Sequence, residues 1–116
     1  MYKPFHLIGL ELSISVLSAV LRQEPSGQAR QMRGTVAAVA KRALTAGETL
    51  DDEGGYTVWG KAQPVAQAAE VLPIGLADHV RLVRDVSAGQ ILVLSDVDLA
   101  EDNATALYRQ TLTEAV

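Results

Sequence analysis

The residues best suited to ligand chemistry are glycines, aromatic residues and a lysine between positions 54 and 61. The segment reads Gly-Gly-Tyr-Thr-Val-Trp-Gly-Lys and brings Gly55, Tyr56, Trp59 and Lys61 close together in the chain. Glycine lets backbone amides approach an anion, and the lysine ammonium group adds positive charge. We therefore take these four as candidate ligand-binding residues. A hairpin turn entering a strand, with Trp59 as a core or interface anchor, explains the same pattern without a ligand.

Two arginines, Arg42 and Arg84, complete the set of candidate ligand-binding residues. A guanidinium group binds a carboxylate or a phosphate through two parallel hydrogen bonds. Both arginines also have acidic residues nearby in the sequence. Internal pairing of Arg42 with Glu48 and of Arg84 with Asp85, or simple solvation, therefore remains open as the alternative.

The sequence predicts no catalytic residue, no metal site and no bound cofactor. It contains no cysteine and two histidines, His6 and His79, neither of which has neighbours at the spacing of a known metal site. Asp78 adjoins His79, but neighbouring residues of a strand point to opposite faces, so no pair is expected. The acidic run at residues 51–53 lacks the alternating oxygen ligands of a calcium loop and is expected to be solvated.

Composition and charge argue against two kinds of partner. The net charge is −4 and no Lys/Arg-rich run occurs, so the cationic stripe that nucleic-acid binding requires is missing. The most apolar stretch, residues 7–21, contains Glu11 and is shorter than the roughly 20 residues needed to cross a membrane. Because cysteine is absent and no export signal is evident, we expect a cytoplasmic protein.

An almost wholly apolar helix is predicted for residues 10–23. Its polar residues recur at intervals of three and four and form one narrow stripe, Glu11, Ser15, Ser18 and Arg22. A chain of 116 residues can hardly cover such a helix on every other side. We therefore expect it to contact another domain or a second copy of the chain through four interface residues: Leu10, Ile14, Leu17 and Leu21.

One segment is repeated at an interval of 42 residues. Residues 41–50 read Lys-Arg-Ala-Leu-Thr-Ala-Gly-Glu-Thr-Leu, and residues 83–92 read Val-Arg-Asp-Val-Ser-Ala-Gly-Gln-Ile-Leu. The shared glycine suits a turn that needs positive φ or a close backbone approach, and the aliphatic residues on either side point into one core. Two such corners predict a β unit with pseudo-two-fold symmetry.

The fold class predicted is mainly β (α+β), with a helix at each end. Strands are expected at 35–42, 56–59, 79–86 and 90–94. In the first strand, Val36, Ala38 and Ala40 are expected to share one face, with Val39 on the other.

Two further helices are predicted outside these strands. A short helix is expected at residues 62–71, with Pro64 in its first turn. The C-terminal helix is expected at 103–115, with Leu107 and Leu112 as its main apolar contacts. The chain is thereby divided into a lead-in, helix and linker (1–34), a β domain (35–100) and a C-terminal helix (101–116).

The two corners resemble those of the SAF superfamily, whose domains have the β-clip fold. The resemblance rests on residues 39–50, on residues 84–92, and on the apolar bend Leu-Pro-Ile-Gly-Leu at 72–76 between them. It implies a β-clip domain over residues 35–98, with the flanking helices added to it.

A narrower resemblance spans nearly the whole chain. Residues 2–11 with the small-residue helix that follows, together with residues 54–61, are similar to the C-terminal part of homoserine-dehydrogenase-like NAD(P)-dependent oxidoreductases. In those enzymes a Rossmann domain and a catalytic domain precede a SAF-like tail. This sequence lacks the Gly-x-Gly-x-x-Gly fingerprint of dinucleotide binding, so hydride transfer does not follow from the resemblance.

The function implied is that of a non-catalytic SAF module, split or cut from a larger NAD(P)-dependent oxidoreductase. It would serve interdomain or oligomer assembly, or the positioning of a ligand. The partners expected are a second copy of the chain or a catalytic Rossmann-domain subunit. The alternative is a free-standing SAF protein that binds a carbohydrate or sugar acid. Relatives of that kind often use metal-binding histidines, which this sequence supplies poorly.

Overall fold

The computed structural model describes residues 7–27, 31–51 and 54–114. The chain divides into two compact units, Met1–Arg30 and Gln31–Val116. His6, residues 52–53 of the acidic run and position 115 of the predicted C-terminal helix lie outside the described residues.

The described part of the first unit is the predicted apolar helix. Helix α1 spans Ile8–Leu17 and continues into a π-helical segment, Ser18–Arg22, which ends where Gln23 takes φ of 54°. The predicted helix is confirmed, and it begins two residues earlier than the polar stripe indicated. None of its residues is buried.

The second unit begins with an antiparallel strand pair. Strand β1, Gly34–Ala40, pairs with strand β2, Val58–Pro64, in a register that joins Gly34 to Pro64 and Ala40 to Val58. The prediction of the first strand is confirmed. Val36 shares a face with Ala38 and Ala40, as predicted, but it is exposed, whereas residues 37–40 are buried on both faces of the strand.

The helix predicted at residues 62–71 is wrong. Its first three residues complete β2, and only a 3-10 turn, Val65–Gln67, follows. Pairing with β1 outweighs the weak helical preference of an Ala/Gln-rich segment. Pro64 is tolerated because it ends a strand at the margin of the sheet, where its missing N–H leaves no gap in the ladder.

The two repeated corners pack against each other about a pseudo-two-fold axis, as predicted. The Leu44 N–H donates to the Val86 carbonyl at 2.9 Å, and the Val86 N–H donates to the Leu44 carbonyl at 3.0 Å. Four further hydrogen bonds form two such matched pairs. In each pair, the residues of one bond are replaced in the other by their counterparts in the opposite corner, 42 residues away in the sequence. The bond from the Gly47 N–H to the Leu82 carbonyl matches the bond from the Gly89 N–H to the Ala40 carbonyl. In the same way, the bond from the Leu50 N–H to the Val80 carbonyl matches the bond from the Leu92 N–H to the Ala38 carbonyl. All four are 2.7 to 2.9 Å long.

The later strands are much shorter than predicted. Strand β3, Arg81–Leu82, pairs with strand β4, Val97–Asp98. The segment predicted as a strand at 90–94 contributes isolated bridges, Ile91 to Val39 and Val93 to Val71, instead of a continuous ladder. Two three-residue 3-10 turns, Ile74–Leu76 and Leu94–Asp96, lie in the segments before β3 and before β4.

An aliphatic core lies between the corners. Its members include the four residues that the repeat places on the inside, Leu44, Leu50, Val86 and Leu92, and two residues of one β1 face, Ala38 and Ala40. The other members are Val58, Leu72, Ala77, Leu82 and Val97. Among the residues that the structure describes, no aromatic side chain belongs to it, in keeping with the scarcity of aromatic residues in the sequence.

Helix α2, Asn103–Glu114, closes the second unit. The Asp102 carboxylate caps it by accepting the Thr105 N–H at 2.9 Å. Thr105 is buried, and the Tyr108 hydroxyl donates to the Ala68 carbonyl at 2.9 Å. The expectation that Leu107 makes a main apolar contact is wrong, because its side chain is exposed and the helix packs through Thr105 and Tyr108 instead. In the part of the chain that the structure describes, two α-helices and short antiparallel strand pairs form an α+β mix in which helical residues outnumber strand residues.

Candidate functional site

The loop before β2 is organised by the carboxylate of Asp51. That carboxylate accepts the Tyr56 N–H at 2.5 Å, the Thr57 N–H at 3.0 Å and the Thr57 hydroxyl proton. The hydrogen bond from the Thr57 hydroxyl, followed by those from the two backbone amides, lowers the pKa of Asp51 from 3.8 to about 2. The Lys41 ammonium group donates to the Gly55 carbonyl and fixes the loop from its other side.

The loop and the first residues of β2 expose two of the predicted binding residues to solvent. The Tyr56 residue is 86 % exposed and Trp59 is 46 % exposed. Lys61 lies two residues after Trp59 on the same face of β2, is exposed, and forms no ion pair or hydrogen bond with any described residue. Gly55 and Tyr56 thus lie in the loop before β2, whereas Trp59 and Lys61 lie on β2 itself.

The two repeat arginines are engaged within the corners. Arg42 forms a two-pronged pair with Glu48, and this guanidinium group lowers the pKa of the Glu48 carboxyl. The alternative that Arg42 pairs with Glu48 is therefore confirmed. Arg84 does not pair with Asp85, because its Nε donates to the carboxylate of Asp96.

Asp96 is a structural residue that the sequence did not indicate. Its side chain is fully buried, and besides Arg84 it accepts the Val93 N–H at 2.9 Å. Asp85 instead accepts the Ala46 N–H at 2.8 Å, from the opposite corner. Local spacing cannot reveal either partner, since both bonds depend on how the corners meet. The role of Asp51 was not predictable from local turn chemistry either, because the amides that it accepts lie five and six residues further along the chain, beyond the two-residue reach of an Asx turn.

The four predicted interface residues are all strongly exposed. Leu10, Ile14, Leu17 and Leu21 expose 73 %, 62 %, 53 % and 73 % of their surface. Ile14, Leu17 and Leu21 line a shallow groove of about 290 Å³ together with Ser18 and Arg22. An apolar surface of this extent on a helix is typical of a protein-contact site.

A second cleft, which the sequence did not indicate, lies in the second unit. Its volume is about 440 Å³, and its polar lining consists of Asp78, His79, Arg81, Asp98, Asp102 and Thr105. His79 takes φ of 54° in a turn, which brings its Nε2 to 3.5 Å from the Asp78 Oδ1. The expectation that a strand would keep these two side chains apart is therefore wrong. The pKa of Asp102 is lowered, mainly by the hydrogen bond from the Thr105 N–H.

Two searches of the described residues gave negative results. Across residues 7–27, 31–51 and 54–114, no three His, Cys, Asp or Glu side chains are grouped so that they could hold a metal ion. Within the same ranges, no helix is both long and apolar enough to span a bilayer.

The sequence matches no family model, and it matches no curated protein.

Proposed function

We propose that this chain is a non-catalytic SAF-type module with the β-clip fold, which assembles with a catalytic NAD(P)-dependent oxidoreductase in the cytoplasm. The observation that carries the proposal is the apolar helix 8–22, none of whose residues is buried. The paired corners support the β-clip part, because their reciprocal hydrogen bonds are what a pseudo-symmetric clip requires. The sequence resemblance supplies the class of partner.

The helix would act by position and not by chemistry. Burying a leucine or isoleucine side chain contributes up to about 1.5–3 kcal/mol, so covering the groove residues Ile14, Leu17 and Leu21 would favour the contact. The second unit would then be held beside the catalytic domain.

Genomic context and copurification test this function. We expect a Rossmann-domain oxidoreductase to be encoded in frame with, or directly beside, this sequence. When the two are coexpressed, the oxidoreductase should copurify with the wild-type chain and be lost with Ile14→Lys, since a hot-spot substitution weakens binding by more than about tenfold.

The matched control is Ser15→Lys, which adds the same charge on the polar stripe four residues after Glu11. It should retain the oxidoreductase. Equal loss with both variants, or the absence of any neighbouring dinucleotide-binding subunit, would contradict the proposal.

The second cleft favours one alternative function, the binding of a sugar acid by a free-standing chain. Arg81 and His79 offer donors for a carboxylate, Asp98 offers an acceptor for hydroxyl groups, and Leu76 and Leu99 offer apolar surface. A thermal-shift screen with aldonic and uronic acids tests it. A rise in melting temperature that Arg81→Leu removes supports this alternative, and no shift with any sugar acid eliminates it.

A further inference from the structure

The outer edge of strand β2 is open over part of its length. Lys41 donates its N–H to the Thr57 carbonyl, so Thr57 and every second residue after it face β1. Gly60 and Ala62 therefore direct their N–H and C=O groups away from β1. Both residues are exposed, and no described residue forms a hydrogen bond with these four groups.

The open stretch is bounded on both sides. Val58 also faces outward, but its surface is only 1 % exposed, so the edge is inaccessible there. Pro64, at the other end, has no N–H to donate. An added strand can consequently pair with residues 59–63, through the main-chain groups of Gly60 and Ala62.

Lys61 lies at the centre of this stretch, and its charge determines which strands can pair with residues 59–63. In an antiparallel pairing of two copies that uses all four open groups, Gly60 lies opposite Ala62 of the other copy. Lys61 then lies opposite Lys61 of the other copy. Like charges directly opposite in a non-hydrogen-bonded pair repel, which opposes self-association along this edge. The same position attracts a carboxylate, and Lys61 has no partner among the described residues.

We propose that the edge at residues 59–63 receives an extended segment of another polypeptide, antiparallel to β2, with an acidic side chain opposite Lys61. The main-chain groups of Gly60 and Ala62 provide the binding, and the charge of Lys61 provides the selection. Trp59, on the same face as Lys61, adds apolar contact for the neighbouring residue of the segment. This surface lies in the second unit and is independent of the apolar helix, so either proposal can fail alone.

The chain can itself supply an acidic edge strand as the probe. In a mixture of wild-type and Lys61→Glu chains, the pairing described above sets Lys61 of one copy opposite the new carboxylate of the other. We expect the mixture to form a heterodimer of twice the 12.4 kDa chain mass by light scattering, at least about tenfold tighter than either chain alone. Trp59 is the sole tryptophan, so its fluorescence should shift as the heterodimer forms.

Three controls identify the surface. Lys61→Gln mixed with wild type should associate less than Lys61→Glu does, because it removes repulsion without adding attraction. Lys61→Glu/Ala62→Pro should not associate, since proline removes an outward N–H. Arg33→Glu, which reverses an exposed charge outside β2, should not associate either. No heterodimer up to about 500 μM, or one that survives Ala62→Pro, would overturn the proposal.

Discussion

At the scale of single residues, the two repeat arginines look equivalent in sequence and have different surroundings in the structure. Arg42 pairs with Glu48, whose side chain is partly exposed, whereas Arg84 bonds Asp96, whose side chain is fully buried. A buried carboxylate depends on its hydrogen-bond partners because water cannot replace them. The symmetry of the backbone is therefore not matched by symmetry in the polar side chains.

Replacement of these arginines should reveal the difference. Arg84→Ala leaves the Asp96 carboxylate buried with one fewer donor, so we expect the free energy of unfolding to fall by about 1–3 kcal/mol. Arg42→Ala should cause a smaller loss, because solvent can hydrate Glu48. Urea denaturation of both variants measures the order, and an equal loss from the two would contradict this assignment.

The Asp51 turn should make stability depend on pH in the acid range. The pKa of Asp51 is lowered to about 2 in the folded chain, against an ordinary value of 3.8, so its stabilising effect is complete above about pH 5 and is lost as pH falls through about 2. The wild-type chain should therefore lose more stability between those pH values than Asp51→Asn. Glu70→Gln, which removes an exposed carboxylate outside this turn, is the control and should behave as wild type in urea titrations. Identical acid sensitivity of wild type and Asp51→Asn would refute the role of this carboxylate.

At the scale of elements, the corners are the best-defined feature. Each turns at a glycine with positive φ, 87° at Gly47 and 79° at Gly89. Residues other than glycine adopt this conformation at a cost in free energy, which explains why both copies of the repeat have glycine at this position. Gly60 has no positive φ. Glycine is favoured there by space, because a Cβ would lie 2.6 Å from the Val36 Cγ1.

Alanine substitutions separate the conformational cost from steric cost. Gly89→Ala has open space for its Cβ, so it should lose only the conformational term, about 1 kcal/mol. Gly47→Ala should lose more, because its Cβ would lie 3.2 Å from an Arg81 nitrogen. Gly75→Ala, with open space and no positive φ, is the control and should be nearly neutral in urea denaturation. A Gly75→Ala loss as large as that of Gly89→Ala would argue against the turn geometry as the cause.

At the scale of the whole molecule, two surfaces in different units carry the two proposals. The apolar helix belongs to the first unit, and the open edge of β2 belongs to the second. Neither surface shares a residue with the other. Their effects on association should therefore be separable by mutation.

Separability can be measured directly. With Ile14→Lys present in both chains, the heterodimer between Lys61 and Lys61→Glu chains should form as before, while copurification of the oxidoreductase is lost. Conversely, Ala62→Pro should leave copurification intact. Light scattering and pull-down of the same variants give both readouts, and loss of both interactions from either single change would show that the surfaces are coupled.

Sequence alone determined the features that depend on local spacing. The apolar helix followed from the narrow polar stripe, the first strand from its run of small aliphatic residues, and the corners from a repeat whose glycines need positive φ. These patterns are set within one element or one turn, so no knowledge of distant contacts is required. The short strands and the extension of β2 to Pro64 were not predictable in this way, because pairing with β1 overrides local preference.

Tertiary structure decided how the candidate residues are used. It paired Arg84 with Asp96, twelve residues away, and turned His79 towards Asp78 in a left-handed turn. It also left Lys61, on the open part of an edge strand, without a partner among the residues that the structure describes, and we propose this lysine as the centre of a peptide-binding edge. The physical reason is common to all three. A side chain's type fixes what it can bind, but its available partners depend on which backbone segments the fold brings beside it.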